Sequence, residues 1–480
     1  MIARLGLLAA CCAAVLSGCA AGPDYRKPQL DLPVAWKVEA PWRESTPADA
    51  APKGPWWQRF GDAQLSALAE QAVANNPTLA LANARLAQAR ATLSATSAGV
   101  LPQVGVGARA ARQRISANRP LSNYNSPNFS TVQNDLTVAM TVSYEVDLAG
   151  RVQRSIEGAG AAAEQSAADL ENTRLLLTAD LATNYFNLRA IDTELDVLGR
   201  AIALQRRALE LVTSRHDLGA ATGLDVAQQQ ALLDTTLVQV DVLRRQRDQY
   251  EHAIATLAGI PAPNFALAAD VRELTPPAVP LGVPSDVLER RPDIASAERA
   301  MAAANAQIGV ASAAFYPSIT LAPSYGVEST RLASLFDAPS VLWSVGLSAT
   351  QVLFDNGRIK ANVEFAKAGH AAAIANYRRV VLSAMQEVED GITGLAALDR
   401  ASAQAQVAVG TATRVLDMAT ARYEGGASAY LDVITAQQAL LASERQASQL
   451  LGQRLVTSVF LVKALGGDWQ RNAPIAAAGE

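Results

Sequence analysis

Asp225 and Asp432 stand 207 residues apart in matching surroundings, Leu224-Asp225-Val226 and Leu431-Asp432-Val433. Each follows a short glycine-containing segment, Arg215-His216-Asp217-Leu218-Gly219 and Arg422-Tyr423-Glu424-Gly425-Gly426. Carboxylates gathered around one narrow opening by several chains form a ring of the kind that selects cations. The same carboxylates in the first turn of a helix complement its macrodipole, and Thr222 with Asp225 has the spacing of a capping box. Both readings are open on spacing alone. Gly219 and Gly426 suit positive φ within the turns, and Arg215 and Arg422 read as hairpin salt-bridge or C-capping residues. Reaction chemistry is not expected elsewhere. His216, His252 and His370 are scattered without metal-ligand spacing. Gly105-Val106-Gly107 lacks the remainder of a phosphate loop. Glu387 and Glu389 would point apart on a helix. The expectation is a chain with no enzymatic activity, no metal and no cofactor.

The elements that must position these aspartates occur twice. Arg151 to Gly219 spans 68 positions, and so does Arg358 to Gly426. Each stretch reads as a long helix, a tight turn and a returning helix. Leu181, Leu188, Leu195, Ile202 and Leu209 recur every seven residues, with Ile191, Leu198 and Val212 in a second register. Shifted by 207, the first series becomes Val388, Leu395, Ser402, Val409 and Leu416. The returning segments show Val226, Leu233, Val240 and Ile254, then Val433, Leu440 and Leu461. Such heptads predict coiled-coil packing, and some 65 helical residues extend on the order of 95 Å.

Upstream of each hairpin the period changes from helical to two. Asn76-Pro77 and Leu101-Pro102 bracket one alanine-rich helical segment, Arg291-Pro292 and Tyr316-Pro317 another. Leu136, Val138, Met140, Val142, Tyr144, Val146 and Leu148 then alternate with small or polar residues, the pattern of a strand with one apolar face. Ile319, Leu321, Tyr325 and Val327 alternate likewise, as do Trp343, Val345 and Leu347; Val104–Ala108 is a weaker candidate. Four strands per chain are expected. The stretch from Leu136 to Leu148 reaches about 43 Å at ~3.3 Å per residue, enough to cross a bilayer at a tilt. Four strands cannot close a barrel, which takes about 8 at least, and open edges are not tolerated in lipid. Strands in a membrane would therefore have to be pooled by an oligomer: a dimer, trimer or tetramer on this argument alone.

The N-terminus indicates the compartment. An apolar run from Leu5 to Leu16 ends in Leu16-Ser17-Gly18-Cys19, the ending of a bacterial lipoprotein signal with Cys19 as the acylated residue. Cys11 and Cys12 would leave with the signal, so no internal disulfide is expected. Ala20 follows in place of a retaining aspartate, which favours outer-membrane delivery. With 50% apolar residues the chain is not disordered, and a net charge of −4 suggests no nucleic-acid partner. Aromatics are only 5% and much of the apolar fraction is alanine, a composition suited to closely spaced helices. Trp36, Trp42, Trp56 and Trp57 sit in a proline-rich arm and read as anchors that pack it down. The expected organisation is a signal peptide over 1–18, an extended arm over 19–60 and a first repeat over 61–260, with strands at about 103–148 and a helical hairpin at 151–258. A linker over 261–284 leads to a second repeat over 285–466, with strands at about 317–354 and a hairpin at 358–465, and a tail over 467–480.

Several ordered motifs accompany this plan: Gly22-Pro23-Asp24-Tyr25, Trp56-Trp57-Gln58-Arg59-Phe60-Gly61-Asp62, Asn75-Asn76-Pro77, Tyr144-Glu145-Val146-Asp147-Leu148-Ala149-Gly150-Arg151, Arg290-Arg291-Pro292-Asp293-Ile294 and Leu353-Phe354-Asp355-Asn356-Gly357-Arg358. With the lipoprotein ending, they resemble the bacterial outer-membrane efflux ducts, the TolC-like channels, in their lipoprotein branch. The resemblance covers essentially the whole mature chain. It implies a mixed membrane protein: a homotrimer whose four strands per chain make a 12-stranded β-barrel, continued by an α-helical coiled-coil tunnel in the periplasm. It also implies an inner-membrane pump and a periplasmic adaptor as partners, with drugs, metals or other small molecules as cargo. The family's constriction falls on Leu431, Asp432 and Thr435, where relatives often carry a second aspartate at the place of Thr435. Tyr423 matches a tyrosine that latches the closed state, Asp225 is the first-repeat counterpart of Asp432, and the turns at Gly219 and Gly426, flanked by Arg215 and Arg422, are where adaptor tips would dock. The alternative from another class is a non-conducting coiled-coil lipoprotein spacing the outer membrane from the periplasm, for which a barrel has no use.

Overall fold

The computed structural model describes residues 20–27, 55–116, 131–272, 274–277 and 290–467. Cys19, Trp36, Trp42, all of the expected signal and most of the expected arm and tail lie outside the described residues. Seven α-helices and six strands are described: α1 (Ala63–Asn75), α2 (Pro77–Ser97), β1 (Gln103–Ile115), β2 (Thr131–Val146), α3 (Arg151–Asp217), α4 (Gly223–Leu257), α5 (Pro292–Ala313), β3 (Ser318–Leu321), β4 (Ser324–Ser329), β5 (Val341–Ser344), β6 (Leu347–Thr350), α6 (Arg358–Glu424) and α7 (Tyr430–Ala464). Helices α3 and α6 each have 67 residues, and α4 and α7 each have 35. Among the described residues no helix is long and apolar enough to cross a membrane. The chain divides into two compact units.

The first unit, residues 1–28, 86–165 and 297–376, holds the sheet. All pairings are antiparallel, in the order β5-β4-β2-β3-β6, with β1 on the other side of β2. The six strands lie on four paths, because β3 and β4 continue one register along β2, and β6 and β5 continue one register along them. Pro323 interrupts the β3–β4 path; it lacks an N–H, although its carbonyl still accepts from Val142 N at 2.9 Å. Where alternation predicts single strands from Ile319 to Val327 and from Trp343 to Leu347, the structure breaks each in two. The weak candidate at Val104–Ala108 is a 13-residue strand, and β2 ends at Val146, two residues short of Leu148.

The register sorts the side chains. Val106, Met140, Tyr325 and Trp343 share one row, and Ala108, Val138, Val327 and Val341 the next. Tyr144, Leu321 and Leu347 make a third row on the same face. The opposite face carries Gly105, Gly107, Thr137, Ala139, Thr141, Ser143, Ser324, Gly326, Ser344 and Ser348, with Leu342 as a large apolar exception. The apolar face is bare: Val106 is 75% exposed, Trp343 72% and Leu347 71%.

Residues Ala20–Lys27 form a strap in the same unit. Ala21 N donates to Ala149 O (2.9 Å), Arg154 donates to Ala21 O (3.3 Å) and pairs with Asp24 (2.8 Å), and Asn305 Nδ2 donates to Pro23 O (2.9 Å). Gly22 lies so close to α5 that a Cβ there would stand 2.6 Å from Gly309 Cα.

The second unit, residues 29–85, 166–296 and 377–480, holds most of both hairpins. Its core includes the predicted heptad positions Leu181, Leu188, Ile202, Val388, Leu395 and Leu416, all buried. Asp62 caps α1 through Gln64 N (2.9 Å) and Leu65 N (3.1 Å), while its second oxygen accepts from Tyr185 Oη (2.7 Å) and Arg272 (2.9 Å). Buried Arg189 pairs with Asp192 (2.7 Å), which also pairs with Arg247 (2.7 Å). Trp56 and Trp57 are buried, with Trp56 Nε1 donating to Thr178 Oγ1 at 3.1 Å.

Candidate functional site

Both long helices end in the same way. Helix α3 stops at Asp217, Gly219 takes φ 74°, and the N–H groups of Gly219 and Ala220 donate to His216 O (2.8 Å) and Arg215 O (2.7 Å). Helix α6 stops at Glu424, Gly426 takes φ 70°, and Gly426 and Ala427 donate to Tyr423 O (3.0 Å) and Arg422 O (2.8 Å). These are Schellman closures, whose left-handed residue favours glycine. Arg215 and Arg422 therefore contribute backbone carbonyls to the caps.

The returning helices begin differently. Thr222 caps α4: Asp225 N donates to its Oγ1 (3.2 Å), while Asp225 Oδ2 accepts from Thr222 N (2.9 Å) and Thr222 Oγ1 (2.8 Å). Asp225 is thus occupied as half of a capping box. Position 429, the counterpart of Thr222, is alanine, and only the backbone bond Asp432 N to Ala429 O (3.1 Å) closes the turn. The carboxylate of Asp432 bonds to none of the described residues and is exposed, beside Leu431 at 52% exposure. Thr435 is also exposed, but its hydroxyl is turned back to Leu431 O and Asp432 O, both at 3.0 Å. The structure therefore brings Leu431, Asp432 and Thr435 together in the first turns of α7, where the Asp432 carboxylate is uncommitted among the described residues.

Contacts across the two hairpins brace this end. The Arg215 guanidinium lies 4.8 Å from the Tyr423 ring centroid and makes a long bond to Tyr423 O (3.5 Å). Tyr423 packs against Tyr430 with centroids 4.9 Å apart, on a core of Val212, Leu232, Leu416, Val433 and Ile434. The Tyr423 hydroxyl is buried without a partner among the described residues. Tyr430 Oη donates to Gln229 Oε1 (2.9 Å), and Gln229 Nε2 reaches Gln205 O (3.1 Å) and Gln437 Oε1 (3.4 Å). Burial, then the neighbouring Tyr423 and Asp225, raise the pKa of Tyr430 and keep the phenol neutral. This polar layer escapes a reading by charge or motif. Its one sequence signal is Gln229 lying three residues after Val226 and four before Leu233, where a polar group in an apolar seam specifies register.

Among the described residues no cluster of histidine, cysteine and carboxylates could hold a metal ion. What the turns offer is a pair of hairpin ends cross-braced through Arg215, Tyr423, Tyr430 and Gln229.

A family profile for outer membrane efflux proteins matches residues 68–260 and 283–467. The chain is 31% identical over 468 residues to the pyoverdine export outer membrane protein OpmQ of Pseudomonas aeruginosa, covering 97% of both chains. It superposes on the outer-membrane channel OprN with a TM-score of 0.85 and 29% identity, covering 94% of this chain and 99% of that one. Against the open state of the Neisseria gonorrhoeae MtrE outer membrane channel the TM-score is 0.82 at 28% identity, covering 95% and 99%. This chain, with its duplicated hairpins and two-faced sheet, belongs to the outer membrane efflux protein family.

Proposed function

We propose that three copies of this chain form the outer-membrane exit duct of a tripartite efflux system, conducting small molecules passively while an inner-membrane pump supplies the energy. The observation that carries this reading is the sheet: four strand paths, one unbroken apolar face and two edges without a strand partner among the described residues. From the Leu136 row to the Val146 row the apolar face runs ten residues, about 34 Å at ~3.4 Å each. Tilted by ~35–45°, that projects to about 25 Å, the height of the apolar band of an outer-membrane barrel. Three sheets joined edge to edge satisfy every ladder and give twelve strands. The small and polar face then lines a watery lumen, continued in the periplasm by the hairpins as a tunnel.

In this reading Cys19 carries the lipid that anchors the strap, and a periplasmic adaptor docks on the turns at Gly219 and Gly426. Leu431 and Asp432 narrow the mouth, with Thr435 at its side. Asp225 serves its helix cap and contributes little to the ring. Tyr423, gripped by Arg215, holds the hairpins in the shut arrangement. The cargo is a small organic compound, drug or metal of the kind that related ducts carry; OpmQ exports pyoverdine and TtgF of Pseudomonas putida belongs to a toluene efflux pump.

Purified protein in planar bilayers tests the proposal. A duct gives discrete single-channel openings, whereas a coiled-coil spacer gives none. The sheet disfavours the spacer, which has no use for a membrane-height apolar face.

A further inference from the structure

Beyond the apolar band, the sheet sorts charge by face. Strands β1 and β2 continue past the Ala110–Leu136 pair to Arg112–Asn134, which by alternation share the apolar face. On the neighbouring path Ser329 pairs with Leu136. Arg331, two residues further, keeps extended backbone (φ −133°, ψ 140°), and Asn134 Nδ2 donates to Thr330 O at 3.5 Å. Arg331 therefore lies next to Asn134 just past the end of β4, where its N–H turns back to Ser329 Oγ at 3.2 Å. Arg112, on the apolar face by alternation, and Arg331, at the adjoining strand end, stand either side of Asn134, above the greasy rows and at the end of the sheet remote from α3 and α6. Both are exposed, and among the described residues neither makes an ion pair, Asp337 of the adjoining loop included. The acidic groups at this level, Asp135 and Glu328, lie on the opposite face with Arg109, and Asp135 accepts from Thr137 Oγ1 at 3.0 Å.

A cation immediately beyond a lipid-facing band stands at headgroup height. On the far side of an outer membrane those headgroups are phosphorylated glycolipids, and guanidinium binds phosphate by paired, charge-assisted hydrogen bonds. We propose that Arg112 and Arg331 form an outward cationic shelf that binds the phosphates of the outer-leaflet glycolipid and fixes the height of the barrel in the membrane. The inference rests on the sheet being a barrel wall, and it assigns a ligand to a surface that conduction does not use.

The test uses the full-length protein in nanodiscs, with bound lipid quantified by native mass spectrometry. Diphosphorylated lipid A, its dephosphorylated form and phosphatidylglycerol serve as probes. The parent should retain diphosphorylated lipid A in preference to the other two, and 0.5 M salt should weaken the retention. Each of R112Q and R331Q should lower affinity about fivefold and the double variant about 25-fold, the weight of one basic residue at an anionic lipid surface. R109Q, on the other face, should leave retention unchanged. Should the double variant fail to insert, the single substitutions decide. Retention within twofold of the parent in both single variants overturns the proposal, as does equal binding of phosphatidylglycerol or an equal loss in R109Q. Conductance keeps the two readings apart: loss of lipid A is expected with the parental channel intact, and a parent that forms no channel refutes the duct instead.

Discussion

Replacing Arg215 with alanine should leave the pump-free channel open far more often. Arg215 belongs to the first hairpin and grips the Tyr423 ring of the second at 4.8 Å, with a long bond to its carbonyl. A half-buried cation–π contact contributes about 1 kcal/mol. The 3.5 Å bond lies at the limit of hydrogen-bond geometry and adds little. Three copies opening together would lose about 3 kcal/mol of closed-state preference, or roughly 150-fold in the open-to-shut ratio. A channel open for about one part in a thousand would then be open for more than a tenth of the time. Single-channel recording of parent and R215A at matched voltage and salt reads this directly. R215K, which keeps a cation near the ring, should fall between them. An open probability for R215A within twofold of the parent would refute the clasp, and with it the claim that the two hairpins are held shut by this contact.

Other expectations follow from the same geometry. Asp432→Ala should raise the leak or conductance of the pump-free channel and weaken its cation preference, whereas Asp225→Ala should chiefly weaken the start of α4, by about 1 kcal/mol as for a lost cap; unchanged conductance in D432A removes that residue from the gate. Cys19→Ser should abolish lipid labelling by radioactive palmitate and still leave some inserted barrel, seen as protein resisting alkaline extraction of outer membranes. Burial pushes the Tyr185 hydroxyl from its ordinary value near 10 up to about 12. The folded state then holds a proton that the unfolded chain releases, so this contribution is complete below about pH 10 and is lost as pH rises towards 12. Thermal melts between pH 9 and 12 should show that decline in the parent and a shallower one in Y185F.

The parts of the fold legible in the sequence are those governed by local period. Six of the seven alternating apolar positions from Leu136 fall in β2, and the heptads fall in the long helices, because packing on one face imposes a repeat that neighbouring residues reveal. Strand β1 was faint, since Ala108, Arg109, Ala110, Ala111 and Arg112 have little contrast of their own; pairing with β2 along its whole length extends it to Ile115. The breaks at Pro323 and near Gly346 were visible as residues, but alternation on both sides concealed them. At the turns the Thr222–Asp225 box is legible in four residues, whereas the missing cap at Ala429 emerges only when the structure sets the two turns side by side. What could not be read was the meeting of remote side chains. Arg215 with Tyr423, Tyr430 with Gln229, and Asp62 with Tyr185 are joined by tertiary packing alone, and no spacing along the chain announces them.

The seat of the N-terminal strap has a consequence for biogenesis. Residues 20–24 are gripped by Arg154 and by Asn305 and Gly309, so their berth does not exist until some 300 residues have been synthesised and α5 has formed. A segment near the N-terminus, among the first off the ribosome, is thus among the last to find its place. Exchanging Gly309 for a bulkier residue, whose Cβ would stand 2.7 Å from Arg154 Cγ and 2.8 Å from Ala21 O, should keep this segment from docking while the sheet still forms.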